Sequence, residues 1–345
     1  MSCTRSAQST SSTVSFLVYL LALAPLLMGF GCNPSHDPDR FGIYTSKLDG
    51  SDMRKVTTDA YREINHARFS PDKKWITFTR YNRKGLDGLA KEDGNYIESE
   101  IMLVRPDGSE LQSLVPARPG IVSANGYWSP DGTSILYVSN DNPKKQGQIS
   151  RVDLASRAIT AVKLSGEPWA ADPHAVGSKM AFSVFSPDKK TTSIWIIDQE
   201  KNVTRQLTSP KAVKLEGDAK APPGDFDPKI SPDGTKVALM RHAGEKNWHI
   251  VVVDLLTNKE TLLSSGTTVD GVPEWSSDGR KLIFWHVNVK DIKESGLYIM
   301  NPDGTTRQRI PLPRGYFYTM PAFLPGEGSS PDTRIIFSAQ KNPHL

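Results

Sequence analysis

Between residues 41 and 340 the apolar positions fall in short alternating runs, each closed by a turn rich in Ser, Pro, Asp and Gly. Alternation sends successive side chains to opposite faces of a strand, so the pattern predicts half-buried β-strands and few helices. One run recurs behind a fixed lead, an apolar residue followed by Ser-Pro-Asp. It reads Phe69-Ser-Pro-Asp-Lys-Lys-Trp-Ile-Thr-Phe, Trp128-Ser-Pro-Asp-Gly-Thr-Ser-Ile-Leu-Tyr, Ile230-Ser-Pro-Asp-Gly-Thr-Lys-Val-Ala-Leu and Trp275-Ser-Ser-Asp-Gly-Arg-Lys-Leu-Ile-Phe, with a looser copy from Ser330. Pro presets the first turn angle, and Asp and Gly tolerate the angles that follow, so each copy predicts a tight hairpin.

A second pattern lies between these copies: an apolar strand, a polar turn and a short strand. It spans Ile43 to Val56, Ile101 to Leu114, Ile149 to Val162, Ile194 to Leu207, Ile250 to Leu263 and Leu297 to Ile310. The first pattern skips from Pro130 to Pro232, and the gap holds Gly177-Ser-Lys-Met-Ala-Phe-Ser-Val, which matches the strand after Gly234 and is taken as a decayed sixth copy. Phe185-Ser-Pro-Asp-Lys-Lys runs directly into the strand at Ile194, so it reads as a loop between hairpins. Two hairpins make one four-stranded propeller blade. The expectation is an all-β, six-bladed β-propeller of four-stranded antiparallel blades. Because the chain opens on a second-pattern hairpin and ends on a first-pattern one, the N-terminal hairpin should complete the last blade and close the ring, hiding its edges.

These repeats resemble those of TolB-like propellers, also called WD40-like Pro-Asp repeats, over about residues 41–340. The resemblance implies a propeller; TolB itself carries an extra α/β domain before its propeller, for which no room is expected here.

Upstream, Val14 to Phe30 is an apolar run interrupted by Pro25, followed by Gly31-Cys32 and a polar stretch to Arg40. An apolar stretch ending in a small residue and a cysteine resembles a bacterial lipoprotein signal, although Gly29 and Phe30 depart from that family's usual residues. The expected organisation is a signal peptide over 1–31, a lipidated Cys32 with a short tether over 32–40, and a propeller over 41–345. A cleaved ordinary signal or an uncleaved anchor helix is the alternative. The chain's two cysteines are Cys3 and Cys32, so the body uses no disulfide. The implied location is periplasmic or at the cell surface, lipid-anchored to a membrane; several acyl chains give stable anchoring.

A net charge of +4 with scattered Lys and Arg leaves no nucleic-acid footprint. The chain has no His-Glu-x-x-His, Gly-x-Ser-x-Gly or phosphate-loop motif. Residues at the starts of the inner strands should ring the channel mouth: Glu63, Asn65, His66, Asn125, Asp172, His174, Asp225, Asp227, Asp270, Tyr316 and Tyr318. So acidic a ring suits a divalent cation or a basic group on a partner, or simply water. Long segments at Tyr81 to Ser99 and Ser209 to Asp225 should overhang the same face. The expected function is non-catalytic recognition of an envelope protein or peptidoglycan-associated partner. The alternative is an envelope enzyme, a polysaccharide lyase or hydrolase using channel carboxylates or a metal held by His242, His249 and His286. Trp75, Trp128, Trp195 and Trp275 are expected as wedges between blades.

Overall fold

The computed structural model describes residues 38–342 apart from 60–61, 84–95, 167, 189, 212–221 and 245–246. The apolar leader, Cys32, and Lys84, Asp87, Lys91, Glu92 and Asp93 lie outside the described residues.

Twenty-four strands among the described residues pair antiparallel in units of four. Blade 1 holds Glu63–Phe69, Ile76–Arg83, Tyr96–Val104 and Gln112–Val115; blade 2 holds Ser123–Trp128, Ser134–Ser139, Gln148–Asp153 and Ile159–Ala161. Blade 3 holds Ala170–Val176, Lys179–Phe185, Thr192–Asp198 and Val203–Gln206; blade 4 holds Gly224–Ile230, Lys236–His242, Trp248–Asp254 and Glu260–Leu262. Blade 5 holds Thr268–Trp275, Leu282–Asn288, Gly296–Met300 and Gln308–Arg309. Single parallel bridges, Thr192 to Gly224 and Trp248 to Val269, join blades 3, 4 and 5. In blade 6 the strand order places Arg54–Asp59 and Phe41–Lys47 beside Arg334–Lys341 and Tyr316–Phe323. The chain's two ends pair without a break from Phe41 with Gln340 to Lys47 with Arg334.

The Ser-Pro-Asp turns are built by their own side chains. Ser70, Ser129, Ser231 and Ser276 each donate through Oγ to the Asp two residues on, at 2.5–2.6 Å. Each Oγ also accepts the backbone N–H five residues ahead, at 2.9–3.0 Å. Gly132, Gly234 and Gly279 take φ near +70, which a side chain would resist. Ser186 and Asp188 make the same contact at 2.7 Å, yet the turn joins the second and third strands of blade 3. In that blade the inner hairpin is intact. Its turn has shrunk to Gly177-Ser178, with Val176 paired to Lys179 and Gly177 at φ +55.

One expectation needs correction and another needs detail. The segment Tyr81 to Ser99 is not one long loop: pairing continues to Arg83 opposite Tyr96, and Asn82 Nδ2 donates to Glu98 across the strands. The Trp residues also differ among themselves. Trp128 and Trp275 are buried wedges whose indole N–H donates to the carbonyls of Arg68 and Lys229 in the preceding blade, at 3.0 and 2.9 Å. Trp75 and Trp195 also pack against clusters shared by adjacent blades but are only half-buried, Trp75 under the Arg105 guanidinium, 3.7 Å from its centroid, and Trp195 with its N–H on Ser193.

Candidate binding site at the channel mouth

Every inner strand carries one extra residue at the same place. The register slips between Asn65 and Arg68, Ala124 and Tyr127, Ala171 and His174, Phe226 and Lys229, Gly271 and Glu274, and Thr319 and Ala322. The first bulged residue is left-handed in all six: His66, Asn125, Asp172, Asp227, Val272 and Met320 have φ between +50 and +57. Asn and Asp tolerate that region, whereas Val in it is strained and is held here by full burial. Pro173, Pro228, Pro273 and Pro321 follow the left-handed residue in four copies, which fits a bulge because no ladder N–H is needed there.

The bulge turns the residue two positions on toward the ring axis, and those side chains meet there. Arg68 Nη2 donates to Tyr127 Oη at 3.1 Å, and Arg68 Nε lies 3.3 Å from Glu274 Oε2. Lys229 Nζ donates to Asp227 Oδ1 and sits 4.7 Å from the Tyr127 ring centroid. His174 packs edge-on to Tyr127 at 5.4 Å, accepts the Ile230 N–H on Nδ1 at 3.1 Å, and lies 3.8 Å from Glu274. Burial opposes the charge on Lys229, and the Asp227, Tyr127 and Glu274 oxygens overcome it, so the ammonium is held more firmly than usual. Burial first, and then the Arg68 and Lys229 charges, drive His66 down to about 3 against the opposing charge of Asp227, so it is neutral at physiological pH. His174 is pushed well below its ordinary value for the same reason. Burial raises the Glu274 carboxyl; burial opposes ionisation of Asp227 as well, but Lys229, by charge and hydrogen bond, together with its other cationic neighbours including Arg68, holds that carboxyl below its ordinary value.

The residues expected at the mouth separate into three groups. Asp172, Asp227, Asn125, His66 and His174 belong to this axial assembly. Asp172 Oδ1 accepts from Asn125 Nδ2 at 2.9 Å and Oδ2 from Ser183 at 3.1 Å; burial, and then the charge of Asp227, push its carboxyl up to about 6. Asp225 and Asp270 are fully buried and face sideways. Asp225 takes both Nε and Nη2 of Arg241, at 2.7 and 2.9 Å, and Asp270 takes His286 at 2.6 Å and both Nη atoms of Arg307. Their charge is spent inside the blades and contributes no acidic mouth. Glu63, Tyr316 and Tyr318 form the rim on the other side. Tyr316 packs edge-on to Tyr44 and at a tilt against Tyr318, and Tyr318 Oη donates to the Pro313 carbonyl at 2.7 Å. Beside them a narrow cleft opens where blades 5, 6 and 1 meet, with Glu63, Asn65, Trp285, Phe317 and Ser338 in its lining.

A divalent cation fits this centre poorly. The carboxylates near the axis already face Lys229 and Arg68, and no group of three or more His, Cys, Asp or Glu among the described residues is arranged to hold a metal.

No family model matches the chain. A "Protein TolB homolog" from Chlorobium luteolum is 26% identical over 153 residues, 44% of this chain. The matched segment spans 31% of that relative. The putative TolB of Agrobacterium tumefaciens superimposes with a TM-score of 0.62 at 14% identity, covering 87% of this chain and 98% of its own. The fold is a TolB-like β-propeller. TolB from Acinetobacter baumannii gives 0.56 at 15% identity, covering 94% of this chain and 69% of its own.

Within this TolB-like propeller the three histidines weighed as metal ligands do different work. His242 stacks on Trp248 at 4.2 Å with Nδ1 on the Pro222 carbonyl, and His286 pairs with Asp270. His249 is buried with no hydrogen-bond partner for Nδ1 among the described residues. Sequence reasoning missed Arg68, Tyr127, Lys229 and Glu274. The signal was their shared place, each immediately before the apolar residue that leads a Ser-Pro-Asp or Ser-Ser-Asp turn, but strand alternation already accounts for a polar side chain there and so hid it.

Proposed function

We propose that this chain is a non-catalytic recognition module of the bacterial cell envelope. It is held to a membrane through lipid on Cys32 and presents the mouth face of its propeller to an envelope protein partner. The observation that carries the reading is the self-paired axis. Arg68 and Lys229 meet Glu274 and Asp227 in a buried assembly, so the ring's central charges serve each other rather than a reacting substrate. On the mouth face a partner meets the rim, where Glu63 and Tyr316 are half-buried, and the cleft beside it, on a scaffold fixed by closure. A preformed surface of this kind binds with little ordering cost. The resemblance to TolB proteins favours an exported location and a protein partner over a glycan-processing role.

The test is capture from envelope extracts. Glu63→Arg with Tyr316→Ala should abolish capture of the partner, and Lys74→Ala with Lys201→Ala, in turns on the opposite face, should leave it intact. Capture that survives the mouth variant refutes the reading. Asp225 and Asp227 are unsuitable for this test, because both are buried in ion pairs and their loss would disturb the fold. For the anchor, Cys32→Ser should release the protein from membranes; persistent association contradicts lipidation.

A further inference from the structure

The chain enters the ring on the mouth face. Phe41 pairs with Gln340, and Gln340 pairs with Phe317 near the start of an inner strand, so the closing strand begins level with the rim. The Lys341 N–H donates to the Arg40 carbonyl at 3.0 Å and pins the approach there. From Phe41 the strand runs 7 residues to Lys47, and beyond it the Leu48 N–H reaches the Thr333 carbonyl among the turns of the opposite face. At about 3.3 Å per residue, this wall of blade 6 is roughly 23 Å high. Six steps of chain separate Cys32 from Pro38, and fully extended they cover about 20 Å. An attachment at Cys32 therefore cannot pass down the wall to hold the opposite face against a bilayer. It can hold the mouth face or the flank of blade 6.

Charge decides between the two. Lys145, Lys163, Lys290, Lys293 and Arg314 are exposed on mouth-face loops, and none of these side chains makes an ion pair or hydrogen bond among the described residues. The acids beside them are engaged: Asp141 by Arg118, Asp291 by the Lys293 N–H and Glu294 by Asn288. On the opposite face the turns set carboxylates against cations, Asp332 on Lys47, Asp72 on Lys74 and Asp198 on Lys201. Lys145 belongs to blade 2, and Lys290 and Lys293 to blade 5, across the ring from it. Cations on both sides meet one plane together only when the mouth face lies flat on it. We propose that the mouth face is turned toward the membrane that anchors the chain and rests on its anionic headgroups. This rests on the anchored reading above and extends it: the protein partner is one that meets the rim at the membrane surface. Lys and Arg are drawn to an anionic leaflet, and a short tether keeps them within its reach.

The test uses the full chain, recovered from membranes with its own anchor and reconstituted into vesicles of phosphatidylcholine alone or of equal parts phosphatidylcholine and phosphatidylglycerol. Lysines are acetylated with an N-hydroxysuccinimide ester and read site by site by mass spectrometry, with the same chain in detergent as reference. On the anionic vesicles Lys145, Lys163, Lys290 and Lys293 should react about fivefold more slowly than Lys74, Lys201 and Lys259 of the opposite face, relative to detergent, which is one lysine's attraction to an anionic surface converted to a ratio. Salt at about 1 M, which shortens the screening length to about 3 Å, should restore the rates. Lys290→Glu with Lys293→Glu, both exposed, should weaken the protection of Lys145 and Lys163 across the ring. Equal rates on the two faces, slower reaction on the opposite face, or the same protection on phosphatidylcholine alone overturns the inference. A chain that does not stay with the vesicles overturns the anchored reading and this inference with it. A chain that stays but shows no difference between its faces overturns the inference alone, and capture by the Glu63→Arg, Tyr316→Ala variant reports separately on the protein partner.

Discussion

Asp227 and Lys229 are two residues apart on one strand, both essentially without solvent exposure, and each is the other's main partner. Removing one charge strands the other in a low-dielectric interior, which costs several times more than losing an exposed pair. Asp227→Asn keeps the left-handed backbone, so its effect reports the charge. It should lower unfolding free energy in urea by ~3–5 kcal/mol, and adding Lys229→Met should recover most of the loss. Asp172 works in the opposite sense. Its folded carboxyl titrates at about 6, above the ordinary value of 3.8, so the folded state binds more protons between those two values. Stability should therefore fall as pH rises from about 4 to about 6 and stay reduced above that. Asp172→Asn keeps the left-handed backbone and removes the ionisation. It should flatten that slope and raise stability at pH 7.5 by roughly 2–3 kcal/mol. A variant whose pH profile matches the parent's would refute the assignment.

At the level of the hairpin, the Ser-Asp contact explains why one short motif builds the same turn repeatedly. The Ser129 hydroxyl, and then the Thr133 backbone and hydroxyl, hold the Asp131 carboxyl down to about 2. A depressed carboxyl contributes stability above its unfolded value and loses it on acidification, so these turns should weaken between pH about 4 and about 2. Ser129→Ala should move the Asp131 titration, followed by carboxyl NMR, back toward 3.8; an unchanged value would show that the hydroxyl is incidental. The turns were legible in the sequence because their chemistry is local: Ser, Asp and a residue that accepts positive φ lie within five positions. The bulge was not legible. It is set by the partner strand's register, and the left-handed position is occupied by residues as unlike as His66, Asp227, Val272 and Met320. Without the bulge, Asp225 and Asp227 look equivalent, as do the mouth and the axis. With it, Asp227 joins the axis and Asp225 turns aside to Arg241.

The whole molecule depends on the pairing of Phe41–Lys47 with Arg334–Lys341 and on what the closed ring does with its centre. Closure followed from the order of the repeats. The filled axis did not, because it arises from side chains in five different blades, Arg68, Tyr127, His174, Lys229 and Glu274, each unremarkable alone. Ile43→Pro, in the middle of the closing strand, should remove a ladder hydrogen bond and cooperatively destabilise the ring, not fray one end; amide exchange across blades 1 and 5 as well as blade 6 would show it. The most direct measurement of the central claim is the titration of Lys229, followed by the NMR signals of its ε-methylene, with and without millimolar Ca²⁺. The account predicts an ammonium that stays protonated beyond the ordinary lysine range and does not respond to the cation. A Lys229 that titrates as an exposed lysine does, or that shifts when Ca²⁺ is added, would mean an open acidic channel and would contradict the self-paired axis.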